Sequence, residues 1–199
     1  MTDTVTGPDG RTRCPWSGSD PAYLGYHDEE WGVPLHGEQA LFERICLESF
    51  QSGLSWLIIL RKRPAFREAF ADFDPAAVAE FGPADVDRLL ADAGIVRNRA
   101  KIDATIRNAR TVLALDTDLD ELLWSFAPRR REPPKTIADV PAVTAESTAM
   151  AKDLKKRGFT FLGPTTCYAL MQATGMVDDH LADCWRSPAA RKTESVSGR

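Results

Sequence analysis

The chain has 199 residues, 43% hydrophobic and 27% charged, which suits one well-filled core or two small lobes sharing one. Twenty-five lysines and arginines against 29 aspartates and glutamates leave a formal charge of −4, so any contact with nucleic acid must come from local patches. No apolar run approaches a membrane span and the first thirty residues are polar, so the expectation is a cytoplasmic protein with no signal peptide and no membrane contact.

Base collects at Arg97-Arg99-Lys101, Arg129-Arg130-Arg131 and Lys155-Lys156-Arg157, and acid at Asp116, Asp118, Asp120 and Glu121. Each cluster alone reads as a solvated face. Of the four cysteines, Cys46 and Cys167 fall in apolar helical patterns and are expected as buried thiols. Cys14 and Cys184, near the two ends, need another explanation.

In chain order, residues 1–12 lack periodicity and read as a loose tail, followed by a helical domain over 13–186. Trp16, Tyr23, Tyr26, His27 and Trp31 crowd a turn-rich stretch from Cys14 to Pro34. Such a stretch either packs down as a lid on the core or walls a pocket. Helical spacing of Leu41, Phe42, Ile45, Cys46 and Phe50 predicts a helix over 38–52. Glu48 shares its apolar face, where a bare acid is costly unless paired or set against something polar in a cavity. The alternative is a solvated acid near a helix end.

Gln51-Ser52-Gly53-Leu54 breaks that helix, and Ser55 caps a short one from Trp56 to Leu60. Three short helices are predicted from Pro64, from Pro75 behind Asp74, and from Pro83. A long helix over 98–115 and another over 119–126 precede a proline-rich connection at 127–141. A helix over 144–157 ends at Gly158, and Pro164 opens another that closes at Gly175. The tail from Ser187 is expected to be disordered. Nothing alternates as a strand, so the fold class is all-α.

Two places carry chemistry. Helix, tight apolar turn (Phe159 to Gly163) and helix point backbone N–H groups outward, where they can hold a phosphate, or form an ordinary αα-hairpin. Further on, His180 and Cys184 stand four apart, which on a helix places them on one face within reach of one metal ion.

The order of a long helix led by Gly94 to Lys101, a helix ending in the hairpin, and Val177-Asp178-Asp179-His180 resembles the helix–hairpin–helix DNA glycosylase superfamily. Cys14-Pro15-Trp16, Tyr26 to Pro34, Leu47-Glu48, Gly53-Leu54-Ser55-Trp56, Lys155 to Phe159, and Asp179-His180 with Cys184 resemble its zinc-containing branch, the 3-methyladenine DNA glycosylase I family. The resemblance runs without interruption over about residues 13 to 186. It implies a DNA-bound, monomeric enzyme of base excision repair that flips 3-methyladenine out of double-stranded DNA and releases it by hydrolysis.

The resemblance also implies residue roles. Glu48 hydrogen-bonds the base, Tyr26 and Trp56 stack on it, and Tyr23, Trp16 and Trp31 complete the pocket. Leu54, with Gln51 and Gly53 beside it, fills the gap left in the duplex, while Gly163, Thr165 and Thr166 hold the DNA backbone. Cys14, His27, His180 and Cys184 form a Cys₂His₂ set whose closed shell makes a zinc ion structural. A Cys14–Cys184 disulfide would leave His180 unexplained and demand an oxidising compartment. Thr165 stands where bifunctional relatives carry a lysine, so no strand cleavage is expected. Asp178 reads either as the superfamily's catalytic aspartate or as a helix N-cap before His180. Ser49 and Phe50 depart from the family pattern beside Glu48.

Overall fold

The computed structural model describes residues 3–129 and 131–188. Its helices are α1 (Pro21–Glu29), α2 (Glu38–Gln51), α3 (Trp56–Ala69), α4 (Pro75–Ala79), α5 (Pro83–Ala91), α6 (Arg99–Leu113), α7 (Leu119–Trp124), α8 (Ala145–Arg157) and α9 (Pro164–Ala173). Single 3₁₀ turns lie at Pro15–Ser17, Ala71–Phe73 and Ile137–Asp139. The fold is mostly helical, and no helix among the described residues is long and apolar enough to cross a membrane.

The structure departs from the expectations in five places. Residues 5–13 are a small antiparallel hairpin, β1 (Val5–Thr6) with β2 (Thr12–Arg13), where a loose tail was expected. Asp9-Gly10 supplies its turn, with Gly10 at φ +75°, and Arg13 anchors it by bonding both Asp9 and Asp28. The aromatic stretch contains a real helix, α1, capped by the Asp20 side chain on the Ala22 N–H with Pro21 at its first position. α3 runs straight through Pro64 rather than stopping at Leu60, and Ser55 precedes it without a side-chain cap bond. Pro64 is exposed, so the backbone group it orphans can meet water, and burial of Phe66, Ala69 and Phe70 beyond it offsets a proline cost of about 3 kcal/mol. Finally, residues 180–184 are not helical. Ser187, expected in a disordered tail, is buried with its N–H on the Cys184 carbonyl at 2.9 Å; residues 189–199 lie outside the described part.

α2 is the axis of the core. Leu41, Phe42, Ile45, Leu47 and Phe50 are fully buried, and a chain of aromatic contacts (Phe50, Phe66, Phe70, Phe73) fills the space between α2, α3 and the turn after it. Lys101, read from sequence as part of a solvated basic patch, is buried instead. Its ammonium donates to the Phe50 and Ser52 carbonyls at 2.8 and 2.6 Å, tying α6 to the open end of α2. Cys46 and Cys167 are buried thiols, with burial pushing Cys167 up to about 12.

α9 is locked to the segment after α1. The Gly32 N–H donates to the Gln172 carbonyl and the Leu35 N–H to that of Thr174, both at 3.0 Å. Gly175 makes this approach possible: its φ is +71°, and a Cβ there would stand 2.4 Å from the Val33 carbonyl carbon. Gly175→Ala should therefore cost about 3 kcal/mol or more, from strain plus overlap. Urea unfolding beside Gly10→Ala, where φ is also positive but no atom lies within 4 Å, checks this, with the smaller loss expected at Gly10.

Candidate active site and metal-ligand cluster

A cavity of about 300 Å³ opens where α1, α2, α3 and α9 converge. Trp16, Tyr23, Tyr26, Trp31, Trp56, Glu48 and Gln51 line it, so every aromatic residue and the acid singled out for the pocket come together. Tyr26 and Trp56 have ring centroids 5.1 Å apart, and Trp16 meets Tyr23, Tyr26 and Trp31 at 5.4, 6.4 and 4.8 Å. The aromatic stretch is thus both lid and pocket wall.

Glu48 is only 4% exposed. Burial pushes its carboxyl up to about 7, with the Arg44 guanidinium one helical turn earlier pulling the other way. Burial also pushes the Tyr23 and Tyr26 hydroxyls up, so both stay neutral. The indole N–H of Trp56 is buried without a hydrogen-bond partner among the described residues. A chemically specific guest is what such a wall suits: flat, electron-poor, and able to bond an acid.

Sequence reasoning missed five other lining residues, Ile137, Val140, Ala169, Gln172 and Asp179. Asp179 is 1% exposed and accepts from the Tyr168 hydroxyl at 2.5 Å, from the Gln172 amide at 2.9 Å and from Arg131. Its neighbour Asp178 faces elsewhere. The Asp178 carboxylate meets the His180 ring Nδ1 at 2.7 Å and backbone N–H at 3.3 Å, beside a separate hollow of about 590 Å³ lined by Gly32, Trp124 and Arg129. Residues 179–184 are not helical, so it caps no helix there; it closes an Asx-type turn instead. A doublet of aspartates gives no sign in sequence of which one turns inward.

Leu54 is 38% exposed on the turn between α2 and α3, with Gly53 at φ +83°. Gly163 is the N-cap of α9; it and Thr165 are exposed, and Thr166 is half-buried in the first turn. Gly158 ends α8 in the left-handed conformation, and the Asn108 side chain of α6 bonds both the Thr160 N–H and carbonyl. Helix α8, a six-residue connection and α9 form one braced unit beside the cavity.

Cys14, His27 and Cys184 are buried with their ligand atoms within 4.8 Å of one another, a group able to hold a metal ion. Both thiols are free. The Cys14 thiol and the His27 imidazole hold Cys184 well below the usual thiol range, while Cys14 is held high by Cys184 and by burial. Two sulfurs and an imidazole in contact form a site that favours a cation. His180 stands against it, its ring 4.8 Å from that of His27 and its Nε2 3.3 Å from the His27 carbonyl. Each histidine has its Nδ1 on a carboxylate, Asp28 for His27 and Asp178 for His180, both at 2.7 Å, which leaves the Nε2 atoms for coordination.

The raised Glu48 carboxyl has a measurable consequence for stability. The folded state holds its proton up to about pH 7 while the unfolded chain releases it near the ordinary carboxyl value of 4.5, so stability falls as pH rises through that window. Replacing Glu48 by Gln removes this loss. Relative to wild type, the variant should melt higher at pH 8 than at pH 5, by a difference equivalent to about 3 kcal/mol; equal offsets at both pH values in a calorimetric scan would refute it.

A family model described as methyladenine glycosylase matches residues 16–187. The DNA-3-methyladenine glycosylase of Haemophilus influenzae is 47% identical over 179 residues, 87% of this chain and 96% of that protein. DNA-3-methyladenine glycosylase 1 of Escherichia coli K12 is 46% identical over 177 residues, 86% and 95% of the two chains. A crystal structure of 3-methyladenine DNA glycosylase I superposes with a TM-score of 0.86 at 45% identity, covering 88% of this chain and all of the other. A structure of the Staphylococcus aureus enzyme, described as the basis of its 3-methyladenine recognition, gives 0.83 at 39% identity, covering 89% and 96%. The family match spans the cavity, the hairpin, His27, His180 and Cys184, and the chain belongs to the methyladenine glycosylase family.

Proposed function

We propose that the protein is a DNA-3-methyladenine glycosylase of base excision repair, drawing its substrate from double-stranded DNA and acting as a monomer. The observation that carries this reading is a buried acid inside an aromatic cavity: Glu48 flanked by Tyr26 and Trp56. A 3-methyladenine nucleotide is cationic and planar. The aromatic faces attract its charge, and the carboxylate accepts a hydrogen bond from the base edge. Trp16, Tyr23 and Trp31 shape the remaining wall and exclude water.

The positive charge of the damaged base already weakens the glycosidic bond. Water attacks the sugar carbon as its bond to the base nitrogen breaks; the base departs neutral with that electron pair, and the proton of the attacking water passes to solvent. Leu54, with Gln51 and Gly53, fills the space left in the duplex. Gly163, Thr165 and Thr166 hold the backbone at the N-terminus of α9 as the second half of a helix–hairpin–helix element. A threonine hydroxyl forms no Schiff base, so the enzyme is monofunctional. Asp178 is engaged with His180, which favours a role in fixing that imidazole over one in catalysis. Release of free base from methylated duplex DNA should be plain for wild type and about ten- to a hundredfold slower for Glu48→Gln, the worth of one charged hydrogen bond. A wild-type protein that releases no base refutes the reading.

The cysteine–histidine group fits zinc: two thiols and an imidazole in mutual reach, a second imidazole beside them, and carboxylates orienting both rings. Cys14, His27, His180 and Cys184 would hold the ion, which would cross-link the two chain ends; four protein ligands leave no place for a reactive water. Cys184→Ala should lower bound zinc from about one ion per chain, the full shell expected of a structural site, and reduce thermal stability. Unchanged metal content in that variant removes the assignment.

A further inference from the structure

Arg44 is 3% exposed on α2, one turn before Glu48. Its guanidinium carbon lies 5.5 Å from the Tyr26 ring centroid, and its Nη2 pairs with Glu30 at the end of α1. Its Nε and Nη1 are buried without a hydrogen-bond partner among the described residues. A buried guanidinium with two idle donors is a poor stabilising device. Its position beside the base pocket suggests another use.

Charge bookkeeping around it points the same way. Glu30 also takes the Arg63 Nη1 at 2.7 Å, and Glu43 takes the Arg63 Nε at 2.6 Å and Arg67 at 3.0 Å. Three arginines therefore share two carboxylates, with Glu29 exposed at the outer edge. One positive charge is left over on the inner face of α2, and Glu48 is the acid next to it.

We propose that Arg44 is a positioning residue for base recognition, the buried cation that favours the anionic form of Glu48 against its burial in the cavity, so that the carboxylate is available to the base. This rests on the reading of Glu48 as the base-recognition acid. The other groups facing Glu48 supply no net cation. Tyr23 and Tyr26 of α1 are neutral, and Gln51, Trp56 and Gln172 carry no charge. The remaining acid, Asp179, is balanced by Arg131. Desolvation opposes ionisation of Glu48, and Arg44 opposes desolvation.

The test is the pH profile of base release from methylated duplex DNA. Arg44→Met should move the acid limb of kcat/KM upward by about one pH unit, with activity converging on wild type at high pH, and Arg44→Lys should restore the limb. A loss equal at every pH, or an unmoved limb in a folded variant, overturns the proposal. Where Arg44→Met does not fold, Glu30→Gln keeps the cation and frees it from one partner. The limb should then move down, and a limb that stays in place overturns the proposal. The ¹³C titration of the Glu48 carboxyl in the DNA-free protein reads the same coupling without activity. It should rise in Arg44→Met or fall in Glu30→Gln even if Glu48→Gln proves active, an outcome that would sink only the reading of Glu48.

Discussion

An ionisable acid held out of water is the constraint on which the site depends. Glu48 lies on the inner face of a helix whose other buried residues are apolar, and its desolvation has to be offset by the rest of the structure. The phenylalanine cluster behind α2 supplies much of that offset, and the Lys101 ammonium on the Phe50 and Ser52 carbonyls holds the end of the helix in place. The buried polar atoms without partners concentrate here too. Of four such side-chain atoms among the described residues, three belong to Trp56 and Arg44, both beside Glu48. Unsatisfied groups gathered around one cavity indicate selection for chemistry over stability.

The cavity and the metal-ligand cluster share a wall. Trp16 packs at 5.1 Å from the His27 ring and Trp31 at 4.7 Å from that of His180, and the same two indoles line the cavity. The first and last described segments meet here, with the Trp185 N–H on the Thr12 carbonyl and the Trp185 indole on Asp28. Arg13 carries the linkage outward, from Asp9 of the hairpin to Asp28 and so to His27. A metal ion held by this group would close nearly the whole chain into one loop, where a cross-link removes most unfolded-state entropy. Loosening it would also shift the indoles that shape the pocket.

Much of this was legible in the sequence, and the failures have physical causes. Periodicity and caps located α2, α4 to α9 and the left-handed Gly158, because strong local signals agreed there with the core. Pro64 misled, because a proline on the exposed side of a helix costs less than the apolar surface buried beyond it gains. α1 was hidden by aromatic and glycine content, although Asp20-Pro21 is a start signal that could have found it. Cys184 joins the cysteine–histidine group and His180 stands beside it, both from irregular chain, so the shared helical face expected from their fourfold spacing does not form. Ile137 and Val140 reach the cavity from a single 3₁₀ turn inside a segment that reads as surface connection, and only tertiary folding brings them in.

The aspartate doublet shows best what side-chain direction decides. Asp178 and Asp179 are chemically identical and adjacent, yet one turns to His180 and the other to the cavity. Asp179 already accepts from Arg131, Tyr168 and Gln172, so most of its capacity is spent inside the protein. Such a carboxylate holds its surroundings in place, here fixing Gln172 in the wall opposite α2. An acid meant to receive a hydrogen bond from a guest needs the reverse: lone pairs left over and a charge state near its turning point. Among the described lining residues of the cavity, Glu48 meets that requirement, with burial and Arg44 pulling its carboxyl in opposite directions around neutral pH.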